Sequence, residues 1–205
     1  MKKPNYTSLL AIGLLLAGGM PVVAEEPVIN PNFEEGGAQS SESGSPDVMG
    51  WQLYRWGAPE GSGSYGVSEE EAGEGKQSAF VAAVSEGAIG WMSKPIILTD
   101  DMRQHLEIRV QVKKSPNYEG NTPWIFVSWH SQKEFLGTLN IPLETLPSGE
   151  WGVAVLKIKP VDIPAGSDSF RLNLTTLRGK MTGEAHGQLY FDDVKVMTGS
   201  TGTGN

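Results

Sequence analysis

The sequence contains no cysteine. That excludes disulfide staples, a thiol nucleophile and the lipid-bearing cysteine of a bacterial lipoprotein. Histidine is scarce, and His105, His130 and His186 lack metal-ligand spacing. Positive charge is outnumbered, with 16 Lys and Arg against 24 Asp and Glu and a formal net charge of −8. Such an acidic chain is a poor partner for nucleic acid or an anionic lipid surface. It remains compatible with neutral ligands and with divalent cations. Beyond the first two dozen residues no apolar run is long enough to span a bilayer. No window longer than a turn or two shows helical periodicity. A G-x-S-x-G elbow is missing, and no carboxylate pair stands out on strand phases facing one cleft, as a glycosidase requires. A lyase-like set of Tyr190, His130 and Arg109 stays open.

What is present begins with an address label. "MKKPNYTS" is a positive n-region, "LLAIGLLLAGG" a short apolar h-region, and "VVA" places small residues before a cut after Ala24. Residues 1–24 therefore read as a signal peptide, and the mature chain as secreted or periplasmic. Cleavage leaves 181 residues, enough for one domain with a real core. It also removes Lys2 and Lys3, taking the formal charge to −10.

The mature chain alternates with period two. "HLEIRVQVKK" sets Leu106, Ile108, Val110 and Val112 against Glu107, Arg109, Gln111 and Lys113. "WIFVSWHS" sets Ile125, Val127 and Trp129 against Trp124, Phe126, Ser128 and His130. "SFRLNLTTL" sets Phe170, Leu172 and Leu174 against Arg171, Asn173 and Thr175. "WGVAVLKIKP" offers Trp151, Val153 and Val155 as an apolar phase that slips before Ile158. Many short strands between Gly, Pro, Asn and Ser clusters predict an all-β, antiparallel sandwich of jelly-roll type in a single domain. "SEEEAGEGKQ" reads as an acidic surface loop. The domain runs over 25–197, and 198–205 reads as a disordered tail.

"GQLYFDDVKV" is a strand whose phase breaks at Asp192-Asp193. A local bulge there re-aims one carboxylate out of the ladder. The bland reading is an acidic pair satisfied by backbone N–H groups and water.

The order of motifs, "INPNFEEG", "PDVMGWQL", "GKQSAFVAAV", "LEIRVQVK", "SGEWGVAVLKI", "IPAGSDSFRLNL" and "GQLYFDDVKV", resembles the carbohydrate-binding modules of families 4, 9 and 22, the CenC-like group of galactose-binding-like jelly rolls. The resemblance runs from Asn30 to Val196. It implies that first and last strands meet at a seam holding a structural calcium, with Glu34 and either Asp193 or Asp192 as the candidate carboxylates. It further implies a noncatalytic site for a polysaccharide or oligosaccharide on one sheet face.

Sugars offer flat C–H faces that stack on aromatic rings and hydroxyls that need polar partners. Trp51, Trp91 and Trp151 fall where the family carries core or seam aromatics, and Trp129 shares an apolar phase. Trp56 and Trp124 sit at strand ends beside loops. The outward set Arg109, Gln111, Phe126, His130, Arg171 and Asn173 joins them as the expected site, provided that their strands share a sheet. Partners would be the glycan and a separate glycan-active enzyme or envelope protein. The rival readings are an envelope interaction sandwich and a small polysaccharide hydrolase or lyase.

Overall fold

In the computed structural model, Leu106, Ile108, Val110 and Val112 are each no more than 1% exposed, so the clearest alternating run buries the phase expected of it. The structure describes residues 27–36, 48–59, 63–132, 134–143, 145–146, 148–176, 179–180 and 183–198. The signal-peptide reading of 1–24 and most of the tail reading lie outside these residues.

Among the described residues twelve strands follow in order: β1 (Trp51–Trp56), β2 (Tyr65–Ser68), β3 (Ser78–Ala82), β4 (Glu86–Ser93), β5 (Ile96–Ile97), β6 (Leu106–Lys114), β7 (Pro123–Ser131), β8 (Glu134–Pro142), β9 (Trp151–Ile158), β10 (Ser169–Thr176), β11 (Gly179–Lys180) and β12 (Gln188–Thr198). One α-helix among the described residues, the five-residue α1 (Asp100–Gln104), lies between β5 and β6. Its N-cap is Thr99, whose hydroxyl accepts the Met102 N–H, and Met102 is the residue it buries. So short a helix carries too few periodic positions to show in a sequence window.

The strands form two antiparallel sheets. One has the order β1-β4-β10-β7-β8, with β5 on β10 and β11 on β4; the other runs β2-β3-β12-β6-β9. The expected all-β jelly-roll sandwich is what forms. Between the sheets lie Ile89 and Trp91 of β4, Ile125, Val127 and Trp129 of β7, and Phe170, Leu172 and Leu174 of β10. They meet Val110 and Val112 of β6 with Leu189 and Phe191 of β12. Burying one such side chain contributes on the order of 1.5–3 kcal/mol, and a core of this size replaces disulfide staples.

One strand inverts its expected phase. Val153 and Val155 of β9 are 59% and 44% exposed, while Leu156 and Ile158 are buried. Pairing with β6 decides this: Val110 lies opposite Ala154 and Ile108 opposite Leu156, so Gly152, Ala154, Leu156 and Ile158 share the core side. Small residues disguised that inward phase in the sequence.

The segment 27–36 closes the sandwich against the last strand. Phe33 is fully buried, 4.8 Å from the Trp51 ring and 6.5 Å from that of Trp91. Asn30 clips the segment: its amide donates to Glu35 O at 2.8 Å, its Oδ1 accepts Glu35 N–H, and its carbonyl accepts the Trp51 indole N–H. Val194 N–H of β12 then donates to Pro31 O at 2.9 Å. First and last segments meet, as the resemblance implied.

Candidate functional site

The outer face of the β1-β4-β10-β7-β8 sheet is built by strand register. Asn173 of β10 lies between Met92 of β4 and Phe126 of β7. Gln52 of β1 extends that row beyond Met92, and Asn140 of β8 beyond Phe126. One row over stand Tyr54, Gly90, Thr175 and Trp124, with Trp56 at the end of β1 opposite Ala88. In the other direction come Arg171, Ser128 and Thr138, then Ser169, His130 and Phe135. From Thr175 to Ser169 the face runs about 20 Å along the strands.

The aromatic end is layered. Phe126 is only 4% exposed because Tyr54 packs on it edge-to-face at 5.5 Å and Trp124 lies at 5.0 Å. Phe126, expected to stack on a ligand, is thus the floor that holds Tyr54 and Trp124 in place. Those two rings are half-buried, and Trp56 is 50% exposed. Gly90 has no side chain, and a Cβ there would meet Thr175 Cβ at 2.5 Å. The face therefore stays low between Tyr54 and Trp124. Asn173 is also buried, with its amide shared among Phe126 O, Ser128 Oγ and Arg171 O at 3.3–3.4 Å. Its Oδ1 has no hydrogen-bond partner.

The polar end is a cavity of about 410 Å3 lined by Pro95, His130, Gln132, Asp168, Ser169 and Arg171. Asp168 is fully engaged: one oxygen accepts Gln132 N–H at 2.7 Å and the other the Ser169 hydroxyl at 2.8 Å. These bonds hold its carboxyl below the usual range. His130 lies 3.2 Å from Ser128 Oγ, and Phe135, 60% exposed, stands edge-on to its ring at 6.0 Å. Burial first, and then the Arg171 charge, lower the imidazole's proton affinity, so His130 is neutral at neutral pH.

Two residues of the expected site lie elsewhere. Arg109 and Gln111 belong to β6, in the opposite sheet, so they face away from Phe126, His130 and Arg171. Arg109 Nε pairs with Glu107 at 2.6 Å, which depresses that carboxyl. Gln111 donates to Asp193 Oδ2 at 3.2 Å. Alternation shows which side of its own strand a residue takes, but not which sheet the strand joins. For the same reason Tyr190 and Arg109 cannot converge with His130. Trp151 is half-buried on that far face, 6.5 Å from Tyr190, rather than in the core. Tyr54, Phe135, Gln132 and Asp168 complete the near face. The alternation of "EFLGTLNIP" was the available signal for Phe135, and a register shift between Trp129 and His130 brings it beside His130.

At the seam, the ladder between β12 and β6 slips between Asp192 and Lys195, with Asp193 at φ 43°. This is the bulge expected from the broken phase. Asp192 is fully buried; Oδ2 accepts Gly73 and Glu74 N–H at 2.8 and 2.9 Å, and Oδ1 accepts Asp193 N–H at 2.7 Å. Burial nevertheless pushes its carboxyl up. Glu34 Oε1 accepts Gln77 N–H at 3.0 Å and Lys76 N–H. Asp193 faces the Lys195 ammonium at 2.7 Å. A calcium shell needs about 6–8 oxygens. Here the carboxylates are spent on N–H donors and an ammonium, and among the described residues no three acidic or histidine side chains gather around one point. The arrangement does not fit a cation; it fits carboxylates that fasten the 69–77 loop to the seam.

No protein-family model matches the sequence, and no curated protein matches it. Solved structures share its fold. A structure of β-sandwich carbohydrate-binding modules, described as promiscuous in specificity, aligns with a TM-score of 0.57 at 13% identity, over 81% of this chain and 60% of its own. A family 22 xylan-binding domain of Xyn10C from Paenibacillus barcinonensis gives 0.50 at 16% identity, over 78% and 91%. A cyclase from Fischerella sp. TAU, bound to 4-(1H-indol-3-yl)butan-2-one, gives 0.53 at 13% identity, over 85% and 96%. The chain spans only 21% of a bacteriophage CBA120 tailspike domain with the same sandwich. At such identities these likenesses establish the fold and not the site.

Proposed function

We propose that the protein is an exported, noncatalytic carbohydrate-binding module whose ligand lies along the outer face of the β1-β4-β10-β7-β8 sheet. The observation that carries this reading is the assembly of Tyr54, Trp56 and Trp124 with Gln52, Asn140, His130 and Arg171 on one rigid face. Rings at one end offer stacking surfaces, and the amides, imidazole and guanidinium beyond them offer donors and acceptors for hydroxyls. Fold likeness to carbohydrate-binding modules supports it. The lining of the polar cavity includes a single carboxylate, Asp168, with both oxygens engaged. A two-carboxylate hydrolytic mechanism has no second member there. The module would deliver or retain a separate glycan-active enzyme or envelope protein.

A second reading, a protein-interaction sandwich at the envelope, draws on Val153 and Val155, exposed on the edge strand β9. Retention of the folded chain on a panel of soluble and insoluble polysaccharides separates the two. Selective retention on one glycan class supports the module, and none on any supports the interaction domain.

A further inference from the structure

The guanidinium of Arg171 is half-buried in the wall of the 410 Å3 cavity, yet it makes no ion pair among the described residues. Its one side-chain hydrogen bond among the described residues is a long one from Nη1 to Ser93 O at 3.4 Å. The nearby carboxylate does not neutralise it. Asp168 gives one oxygen to the Gln132 N–H and the other to the Ser169 hydroxyl, and no ion pair joins it to Arg171 among the described residues. Arg103 itself donates to Ser167 O. His130, on the other side, is neutral and contributes a single donor or acceptor. A planar fork of donors thus faces a cavity of ligand size, with the Phe135 ring at its edge.

We propose, building on the sugar-binding reading, that this cavity is a subsite for a sugar unit bearing an acidic group, a uronic acid, whose carboxylate pairs with Arg171. Guanidinium and carboxylate match in shape, and a partly desolvated pair of charge-assisted bonds is stronger than neutral ones. His130 and Gln132, which line the same cavity, then meet ring hydroxyls. The acidic run of the 69–77 loop does not oppose this. Glu71 pairs with Lys113 of β6, which places that charge on the far sheet, on the opposite side of the core from Arg171 of β10.

The test uses the full chain on polysaccharides that contain uronic acids, each paired with its carboxyl-reduced neutral form. The wild-type protein should bind an acidic form at least about tenfold more tightly than its neutral twin. Arg171→Gln should abolish the preference, bringing the acidic form and its neutral twin to similar affinity even if both bind more weakly, and Arg171→Lys should keep part of it. Near-ultraviolet circular dichroism and the melting midpoint identify any variant that has lost its fold. Equal or tighter binding of the neutral forms overturns this subsite and leaves the sugar-binding module standing. A preference that survives Arg171→Gln overturns the assignment to Arg171. Failure of the folded wild type to bind any chain overturns both.

Discussion

Asp192→Asn is the most informative single change at the seam, because it preserves shape and removes the charge. The carboxylate accepts three N–H groups, two from the 69–77 loop and one from Asp193. An amide has one acceptor atom. If its oxygen keeps Asp193, the Nδ2 group faces the Gly73 and Glu74 N–H donors, and two bonds are lost. If it rotates to keep the loop, the Asp193 bond is lost instead. The relaxed variant takes the second arrangement, losing one charge-assisted bond, about 1.5–3 kcal/mol. Relief from burying a charge returns part of that, leaving a cost of about 1–3 kcal/mol. For a domain of this size the melting midpoint should fall by about 2–10 °C. Asp192→Ala strands all three donors and should cost more, about 3–5 kcal/mol. Scanning calorimetry of the two variants beside the wild type reads both values. Midpoints within about 1 °C of the wild type for both variants would refute the fastening role of Asp192. The same scans in calcium and in chelator should leave the wild-type midpoint unmoved. A rise in calcium that Asp192→Asn and Glu34→Gln remove would show that a cation displaces the N–H donors.

Gly75→Ala should destabilise the same seam, since Gly75 sits at φ +71° and a Cβ would meet Glu34 Oε1 at 2.2 Å. Gly166, at φ +82° with nothing within 4 Å of its Cβ position, is the control that isolates backbone strain. Gly166→Ala should cost about 1–2 kcal/mol, and Gly75→Ala at least about 1 kcal/mol more through the Glu34 bonds; equal melting shifts would contradict the Glu34 contact. The lowered proton affinity of His130 gives a pH dependence of defined sign. Its folded pKa lies below the unfolded value of about 6.5, so its contribution is complete above that pH and is lost as pH falls through the folded value. Melting midpoints across this range should fall less steeply in His130→Gln than in the wild type; parallel slopes would refute the shift.

The fold was legible in the sequence because burial on one face of a strand writes itself as alternation. β6, β7 and β10 each bury the phase expected, and the broken phase at Asp192-Asp193 marks a true bulge. β9 misled because its inward phase opens with Gly152 and Ala154, too small to stand out as apolar beside Val153 and Val155. The site was half legible. Trp56, Trp124, Phe126, His130, Arg171 and Asn173 do share a sheet, since β7 and β10 pair directly and β1 joins through β4. Arg109 and Gln111 do not, because sheet membership depends on long-range pairing that period-two alternation never encodes. Nor does alternation say what a neighbour will cover: Phe126 is outward-facing and still buried, under Tyr54 and Trp124. The seam carboxylates were found, while their partners, backbone N–H groups of the 69–77 loop, have no sequence signature.

The central claim is that one outer face, and not the other, binds glycan. Isothermal titration with the glycan that retains the wild type, using Trp124→Ala and Trp151→Ala, tests it directly. Trp124 stands on the near face and Trp151 on the far one, beside Tyr190. Trp124→Ala should weaken binding about tenfold or more, with Trp151→Ala indistinguishable from the wild type. Loss in Trp151→Ala with Trp124→Ala unaffected would place the ligand on the opposite sheet and contradict the account.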